Sequence, residues 1–458
     1  AGQYPDGRSD AKGIEVEGVE VGTYGDAEFA FVGSERGSFL AVYRLRKGGA
    51  KPELIQLLPT GVSPEGILSL PERGLVVTSN EGTGDLSIFT GVPYLHRGTE
   101  DRPEVRSKRI STPWSAVSGL AGDARSSRVL WGVPDKALPS ELYRISLRGT
   151  RGTLTSTAIT KDGDQARYDL EGIVADTSIA APAARRAAAR HRAAARVARA
   201  RYNRAAKAGK RAQAARAKRA LGYHRAKVRN HMRAGFWLAQ EGNADFGEDS
   251  YRPNLLIQVD RRGRVIKEIP LPEAIDSPDG GVIRGNGFEG VTLSDDGRYL
   301  LAAIQRDYAD DADVGGKRHT RIARYDLQRG TWDFFLYPLD GPVAEGWVGL
   351  SEIVNVGGDR FLVIERDQQV GGAAEVKKVY EFTLDGVEPT DGSPLPEGTT
   401  PEDAAGKVIE KTLYQDVVDE FGPFEKLEGL AITRRGDVWG NVDNDGGEHE
   451  SRVLRLGP

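Results

Sequence analysis

The chain has 458 residues, 39% of them apolar, with 57 glycines and a formal charge of −4. It has no cysteine, which excludes disulfides, thiol nucleophiles and thiolate metal sites, and no apolar run approaches the ~20 residues of a membrane span. The small net charge hides a segregation: residues 183–233 hold fourteen Arg and four Lys with no Asp or Glu, leaving 45 basic against 67 acidic residues elsewhere, a net of −22.

The start, AGQYPDGRSD, has no signal-peptide character. An Ala start is what cleavage after a small-residue site leaves, so a secreted, periplasmic or cell-surface protein whose signal peptide has been removed is the expectation. From residue 14 onward one pattern returns. Glu-Gly followed by an apolar run occurs at Glu17-Gly18-Val19, Glu65-Gly66-Ile67, Glu171-Gly172-Ile173, Glu289-Gly290-Val291 and Glu428-Gly429-Leu430. Two further units carry Ser in that column, Ser118 in VSGLAGD and Ser351 in LSEIVNV. About sixteen residues later a second polar residue closes another apolar run: Glu35, Glu81, Asp135, Gln305, Glu365 and Asp443. Self-similarity at such a period is the signature of a repeat architecture.

Each unit starts a strand at the Glu or Ser column, turns at a sequence such as Asp295-Asp296-Gly297, and returns as a strand of alternating apolar residues. A variable loop then leads to a third strand such as ARYDL or YEFTL. Seven units of this plan predict an all-β chain, a single β-propeller of seven blades over residues 14–458, in preference to a large β-sandwich.

The fourth unit is interrupted. Glu171 meets its second-column partner, Glu241 in FWLAQEGN, only after seventy residues; removing residues 180–233 restores a spacing of sixteen. That segment is almost all Ala, Arg and Lys, strong helix formers. Pro182 suits a first helical turn, and Ala208-Gly209-Lys210 is a natural break. Ala recurs on one face of each half, so residues 180–233 are expected to form an antiparallel helical hairpin inserted in the fourth blade.

In a propeller the first strand of each blade lines the central channel. Several Glu at the start of those strands put like charges round one axis, where they raise each other's pKa. A bound hard cation relieves this, Ca²⁺ above all, with its six to eight oxygen ligands. The expected ligands come from Glu65, Glu81, Glu171, Glu241, Glu289, Glu365, Glu428 and Asp443. The alternative is that these Glu residues bond to backbone N–H groups of neighbouring blades, and both readings can hold at different positions. The acidic loops at residues 244–249 and 308–316 are weaker calcium candidates; His319 and His449 are expected at the surface.

The basic hairpin also has two readings. Its eighteen positive charges attract a polyanion, or it docks on the acidic propeller of its own or another copy. With only Tyr202 and Tyr223 to stack on bases, sequence-specific nucleic-acid recognition is not expected.

The runs VSGLAGD, DLEGIVAD with GFWLAQEGN, GNGFEGVTLSDDGRYLLAAIQRD, GLSEIVNVGGDRFLVIERD and LEGLAITRRGDVWGNVDNDGG, over about residues 114–458, resemble the bacterial phytase-like family with esterase-like activity, a group of secreted propellers. The opening runs TYGDAEFAFVGSERGSFLAVYRL and PEGILSLPERGLVVTSNEGTGD are similar to the first blades of related large secreted propellers. The chain departs from the family pattern at Gln240-Glu241 and Pro134-Asp135, where acidic pairs are usual, and in the basic hairpin. The resemblance implies a hydrolase of phosphoesters or esters; together with the Glu column and its neighbouring arginines it makes a secreted, metal-assisted hydrolase of an anionic substrate, small or polymeric, the leading expectation. Glu171 or Glu289 would be the base. Arg306 and Arg366 would be anion clamps or partners of the Glu ring. The rival class is a non-catalytic propeller whose hairpin engages a polyanion.

Overall fold

The computed structural model describes residues 4–5, 7, 10–90, 99–108, 114–176, 182–231, 235–243, 251–276, 282–283, 287–341, 343–344, 346–421, 424–444 and 451–456. The acidic loop at 244–249, Asp445 and His449 lie outside the described residues.

Each sequence unit folds as one antiparallel sheet. The first sheet is β1 (Val16–Tyr24), β2 (Ala27–Ser34), β3 (Phe39–Arg44) and β4 (Glu53–Pro59). The second is β5 (Pro64–Leu70), β6 (Leu75–Asn80) and β7 (Asp85–Thr90). In the third, β8 (Glu104–Ser107) adds parallel to the outer edge of β9 (Val117–Gly122), β10 (Val129–Pro134), β11 (Glu141–Arg148) and β12 (Arg151–Ala158). A two-stranded ribbon follows, β13 (Thr160–Lys161) and β14 (Asp164–Gln165). The fourth sheet is β15 (Leu170–Ala175), β16 (Gly235–Gln240), β17 (Leu255–Asp260) and β18 (Val265–Pro270), with helices α1 (Pro182–Lys207) and α2 (Arg211–His231) lying in sequence between its first two strands. The fifth is β19 (Phe288–Leu293), β20 (Tyr299–Ile304), β21 (His319–Asp326) and β22 (Thr331–Pro338). The sixth is β23 (Val348–Asn355), β24 (Arg360–Asp367), β25 (Lys377–Thr383) and β26 (Lys411–Asp416). After the short α3 (Val418–Phe421), β27 (Lys426–Ile432), β28 (Val438–Asp443) and β29 (Arg452–Arg455) form the seventh.

The chain is a β-propeller, but its ring has five blades where seven are expected. The inner strands β9, β15, β19, β23 and β27 pack in succession, and β27 packs back on β9. Each gap between neighbouring sheets holds its own apolar cluster. The cluster that closes the ring joins Val117, Leu120, Leu130 and Tyr143 of the third sheet to Ala431, Trp439 and Val453 of the seventh. Polar bonds reinforce the closure. Asn444 Oδ1 accepts from Ala116 N at 2.7 Å and Ser115 Oγ at 2.8 Å, and Asn441 donates to the Val117 carbonyl. The first two sheets instead pack on each other, through β1 and β5, with a small cluster of Phe31, Leu40, Val42, Leu58 and Val76. Their inner strands leave Val16, Val19, Val21 and Leu68 exposed, whereas β19 is buried throughout.

A ring of five demands close approach at its axis, and the Glu-Gly column supplies it. In all seven sheets the register slips at that column: Phe288 pairs Ile304 but Gly290 pairs Ala303, so Glu289 is an extra residue. The same bulge falls at Glu17-Gly18, Glu65, Ser118, Glu171, Ser351 and Glu428. A bulge re-aims its extra side chain. The following Gly lets the next strand pass: a Cβ on Gly172 would lie 2.7 Å from Gly290 Cα and 2.8 Å from Val291 N. The sixth sheet breaks the pattern with Glu352 in the Gly column. That fully buried side chain accepts from Ile353 N at 3.0 Å and Val291 N at 3.2 Å, which ties two inner strands together.

Helices α1 and α2 pack along a thin seam in which Ala198 and Ala205 are buried, and His191 Nδ1 meets His224 Nδ1 across it at 3.1 Å. β15 and β16 pair from Leu170–Gln240 at one end to Ala175–Phe236 at the other. The hairpin therefore joins the sheet at the end opposite Glu171.

Gly172→Ala is expected to lower stability by about 1–3 kcal/mol or more, since its Cβ meets backbone that cannot step aside. Gly66→Ala, in the open N-terminal pair, meets only the Ser79 side chain within 4 Å and should cost less. Chemical denaturation of the two variants checks this; equal losses would contradict the five-membered closure.

Candidate active site at the mouth of the ring

Four side chains expected at the axis meet there. Carboxylate oxygens of Glu171, Glu289 and Glu428 all lie within 4.8 Å of one another, and oxygens of Asp169, Glu171 and Glu241 form a second such group. Glu171, Glu289 and Glu428 are only 8%, 2% and 2% exposed. The two groups share Glu171, so the carboxylates form one continuous cluster at the start of the inner strands.

The second column lies beside it. The residue that follows the strand partner of each bulge is Glu35, Glu81, Asp135, Glu241, Gln305, Arg366 or Asp443. The sixth unit is thus corrected by one residue. Leu350 pairs Glu365, so Arg366, not Glu365, turns to the axis. Glu365 points to the other face of the sheet, where it binds Lys411, accepts from Tyr337 Oη at 3.1 Å and accepts from Asp340 N. It takes no part in the cluster.

Arg366 is itself buried. Its Nη2 lies 2.6 Å from Glu428 Oε1 and its Nε donates to Ser351 Oγ at 2.8 Å. The small Ser351 leaves room for the guanidinium where the inner strands of other sheets carry Glu171, Glu289 or Glu428. Of the two readings for this arginine, partner of the Glu ring is the one its bonds support. Gln305 Nε2 donates to Glu289 Oε1 at 2.6 Å, and Ser118 Oγ donates to Asp443 Oδ2 at 2.9 Å. Lys136 Nζ lies 2.8 Å from Asp169 Oδ2. Arg306 is half-buried with its guanidinium 4.7 Å from the Trp347 ring centre, and Arg366 lies 5.2 Å from the same ring.

Crowding sets the protonation. Burial, then Glu289, Asp169 and their neighbours, push Glu171 well above the usual carboxylate range. Burial, then Glu428 and Glu241, do the same to Glu289, against the opposing pull of Arg366 and Lys426. Glu241 is pushed up to about 7 by burial and Asp169, with Lys136 and Lys426 working the other way. Burial opposes the charge of Arg366, but Glu428 and Glu289 outweigh it and hold the guanidinium above its ordinary value.

An all-oxygen donor set of this kind suits a hard divalent cation. Two buried oxygens fit that role: Glu428 Oε2 and Gln305 Oε1 have no hydrogen-bond partner among the described residues. Buried acceptors are rarely left so. Asp443 is drawn off to Ser118, and Glu65 and Glu81 are elsewhere: with Glu35 they form a separate acidic group on the N-terminal pair, where Glu65 and Glu81 are exposed.

Asp169, Lys136, Trp347 and Glu352 were not among the expected site residues. The first three stand in loops or at strand ends that do not repeat, and Glu352 could have been found only as the break in the Glu-Gly column. His319, expected at the surface, is buried at 2% exposure, and burial lowers its pKa. In the acidic loop at 308–316, Asp311 is bound to the buried Arg321.

The comparisons with known proteins join this geometry. Residues 228–446 match the phytase-like family, described as esterase-like activity of phytase. The match spans just under half of the chain. It takes in β16 to β28 and contributes Glu241, Glu289, Gln305, Arg366 and Glu428 to the site, while Glu171 lies ahead of the matched span. Residues 1–48 match the choice-of-anchor I domain. Among curated proteins nothing matches. Solved structures similar to the chain include Kuenenia stuttgartiensis hydrazine synthase, at 10% identity and TM-score 0.32 over 94% of this chain and 92% of that one. Another is a putative oxidoreductase (glucose dehydrogenase) of Thermus thermophilus, at 12% and 0.29 over 86% and 96%. A third is the Pseudomonas aeruginosa periplasmic gluconolactonase, at 10% and 0.28 over 97% and 97%.

A carboxyl whose folded pKa is raised favours folding at low pH, and that gain is lost as pH rises through the folded value. With chelator present, the cluster should therefore lower the melting temperature between about pH 4.5, the ordinary Glu value, and about 7, the Glu241 value. His319, with its lowered pKa, works in the opposite sense, so the comparison is with Glu241→Gln. Calorimetry should find the variant relatively more stable than the parent at pH 8 than at pH 5. An identical pH dependence in both proteins would contradict the assignment.

Proposed function

We propose that the protein is a hydrolase of phosphoesters or esters, assisted by a divalent cation, Ca²⁺ foremost, and working outside the cytoplasm. The observation that carries this reading is the three buried carboxylates of Glu171, Glu289 and Glu428 within 4.8 Å, with unpartnered oxygens on Glu428 and Gln305 beside them. A rigid binding platform has no need of such a cluster, which costs stability unless something compensates it. The match of residues 228–446 to the phytase-like family supports the same reaction class.

In this reading Glu171, Glu289, Glu428 and the Gln305 amide oxygen hold the cation, which when bound polarises a substrate oxygen and lowers the pKa of water. Arg366 fixes Glu428 through its 2.6 Å bond, so that one carboxylate oxygen stays aimed at the centre. Glu241 is the proton acceptor. Its carboxyl titrates near 7, where a general base is most effective at neutral pH. It replaces Glu171 and Glu289 in that role, because those two are needed as ligands. Lys136, 2.8 Å from Asp169 Oδ2, offsets that carboxylate and draws Glu241 toward its deprotonated, proton-accepting form. Arg306, whose buried Nε has no hydrogen-bond partner among the described residues, stands against Trp347 as the group that receives an anionic substrate.

The test is a panel of phosphate monoesters and diesters, lactones and aryl esters with Ca²⁺ or with chelator. Turnover of at least one class, lost with chelator, is expected. Glu289→Gln should cut it by roughly tenfold to a hundredfold or more, and Arg306→Ala should raise KM for phosphate esters more than for neutral esters. No turnover across the panel would overturn the reading.

A further inference from the structure

The basic hairpin contributes none of the residues of the site, and its described charges pair with no carboxylate among the described residues. Thirteen of its Arg and Lys residues have described side chains, from Arg190 to Arg225, and all thirteen are exposed. Among the described residues none of them pairs with a carboxylate, although the rest of the chain carries a net charge of −22. Docking of the arm on its own acidic body would neutralise both, and the structure does not use it. The helices instead pack on small Ala side chains, which keeps the arm thin and the cations outermost. Arg192, Arg196, Arg199 and Lys207 recur at helical spacing on the side of α1 away from the Ala198–Ala205 seam. Arg201, Arg204, Lys210 and Arg216 border a groove of about 870 Å³ between the helices.

The topology adds a direction. The arm joins the fourth sheet at the Ala175–Phe236 end, and the carboxylate cluster lies at the Leu170–Gln240 end. The cationic and anionic features of the molecule thus leave opposite ends of one blade.

We propose that the hairpin is a docking arm for a linear phosphodiester polymer, gripped through its phosphates without reading sequence, with the carboxylate mouth turned away from the polymer. Arg predominates over Lys by fourteen to four, and the planar guanidinium suits bidentate phosphate contact. A lipid surface is the poorer partner. Cations lie on more than one side of the arm, and Val197 and Tyr223 are the large apolar side chains it exposes among the described residues, so it lacks the broad apolar face of an interfacial helix.

The experiment uses the full chain and fluorescence anisotropy with 30-base-pair DNA duplexes of unrelated sequence as the phosphodiester probe. Binding should be equal across sequences and fall steeply with salt, as released counterions require. Replacing Arg192, Arg196, Arg199 and Lys207 together with Gln should reduce the salt slope by about one per lost phosphate contact; the Arg→Lys version at the three arginines should retain most of the affinity. Circular dichroism and the melting temperature check that the arm still folds. Three results would overturn the proposal: no duplex binding by the parent at low salt, equal binding by the Gln variant with its helices intact, or retention by vesicles of anionic lipid but not by the duplex. If the Gln variant loses its helices, the parent's salt slope and the duplex-against-vesicle comparison still decide.

Discussion

The structure depends on carboxylates forced together at the axis of a small ring. Each inner strand carries a bulge that turns one extra residue toward that axis, and four of the five carry a Gly beside it that lets the neighbouring strand approach. Five such strands close. Three deliver Glu171, Glu289 and Glu428, and two deliver Ser118 and Ser351, small enough to admit Asp443 and Arg366. Five Glu at this radius would repel beyond what one arginine relieves. The two serines and the guanidinium of Arg366 lower the negative charge at the axis.

The rest follows from that arrangement. The second strands carry the residues that tune the cluster: Gln305 bonds Glu289, Arg366 bonds Glu428, and Glu241 sits beside Glu171 with a carboxyl near 7. The inner strands of the fifth and sixth sheets are buried almost throughout, and these sheets carry the buried ion pairs Arg321–Asp311 and Lys377–Asp367. Glu352 replaces the Gly of its strand and uses its side chain, not an empty space, to bind the neighbouring backbone. The N-terminal pair repeats the same bulges without closing a ring, and its acidic residues Glu65 and Glu81 remain at the surface.

Much of this was legible in the sequence, because one residue per unit recurs at one structural position. The Glu and Ser column marked the bulges in all seven sheets, and the spacing of Glu171 and Glu241 located the helices between two strands of one blade. Blade count was not legible. Seven units fix seven sheets, but which inner strands meet depends on side-chain packing across the gap between Trp439 and Leu130, which no repeat spacing records. Glu365 was misassigned for a related reason. Counting residues between columns does not fix register where a strand holds a bulge, and an error of one exchanges the two faces of a strand. Lys136, Asp169 and Trp347 belong to one blade each, so no repetition could mark them.

The central claim is that the axial carboxylates hold a divalent cation. It is tested most directly by crystals of the protein grown with Ca²⁺ and measured at a wavelength where calcium scatters anomalously. The account predicts an anomalous peak bounded by oxygens of Glu171, Glu289 and Glu428. Electron density in which those carboxylates contact only one another, Arg366 and water, at a Ca²⁺ concentration that saturates any thermal shift, would contradict it.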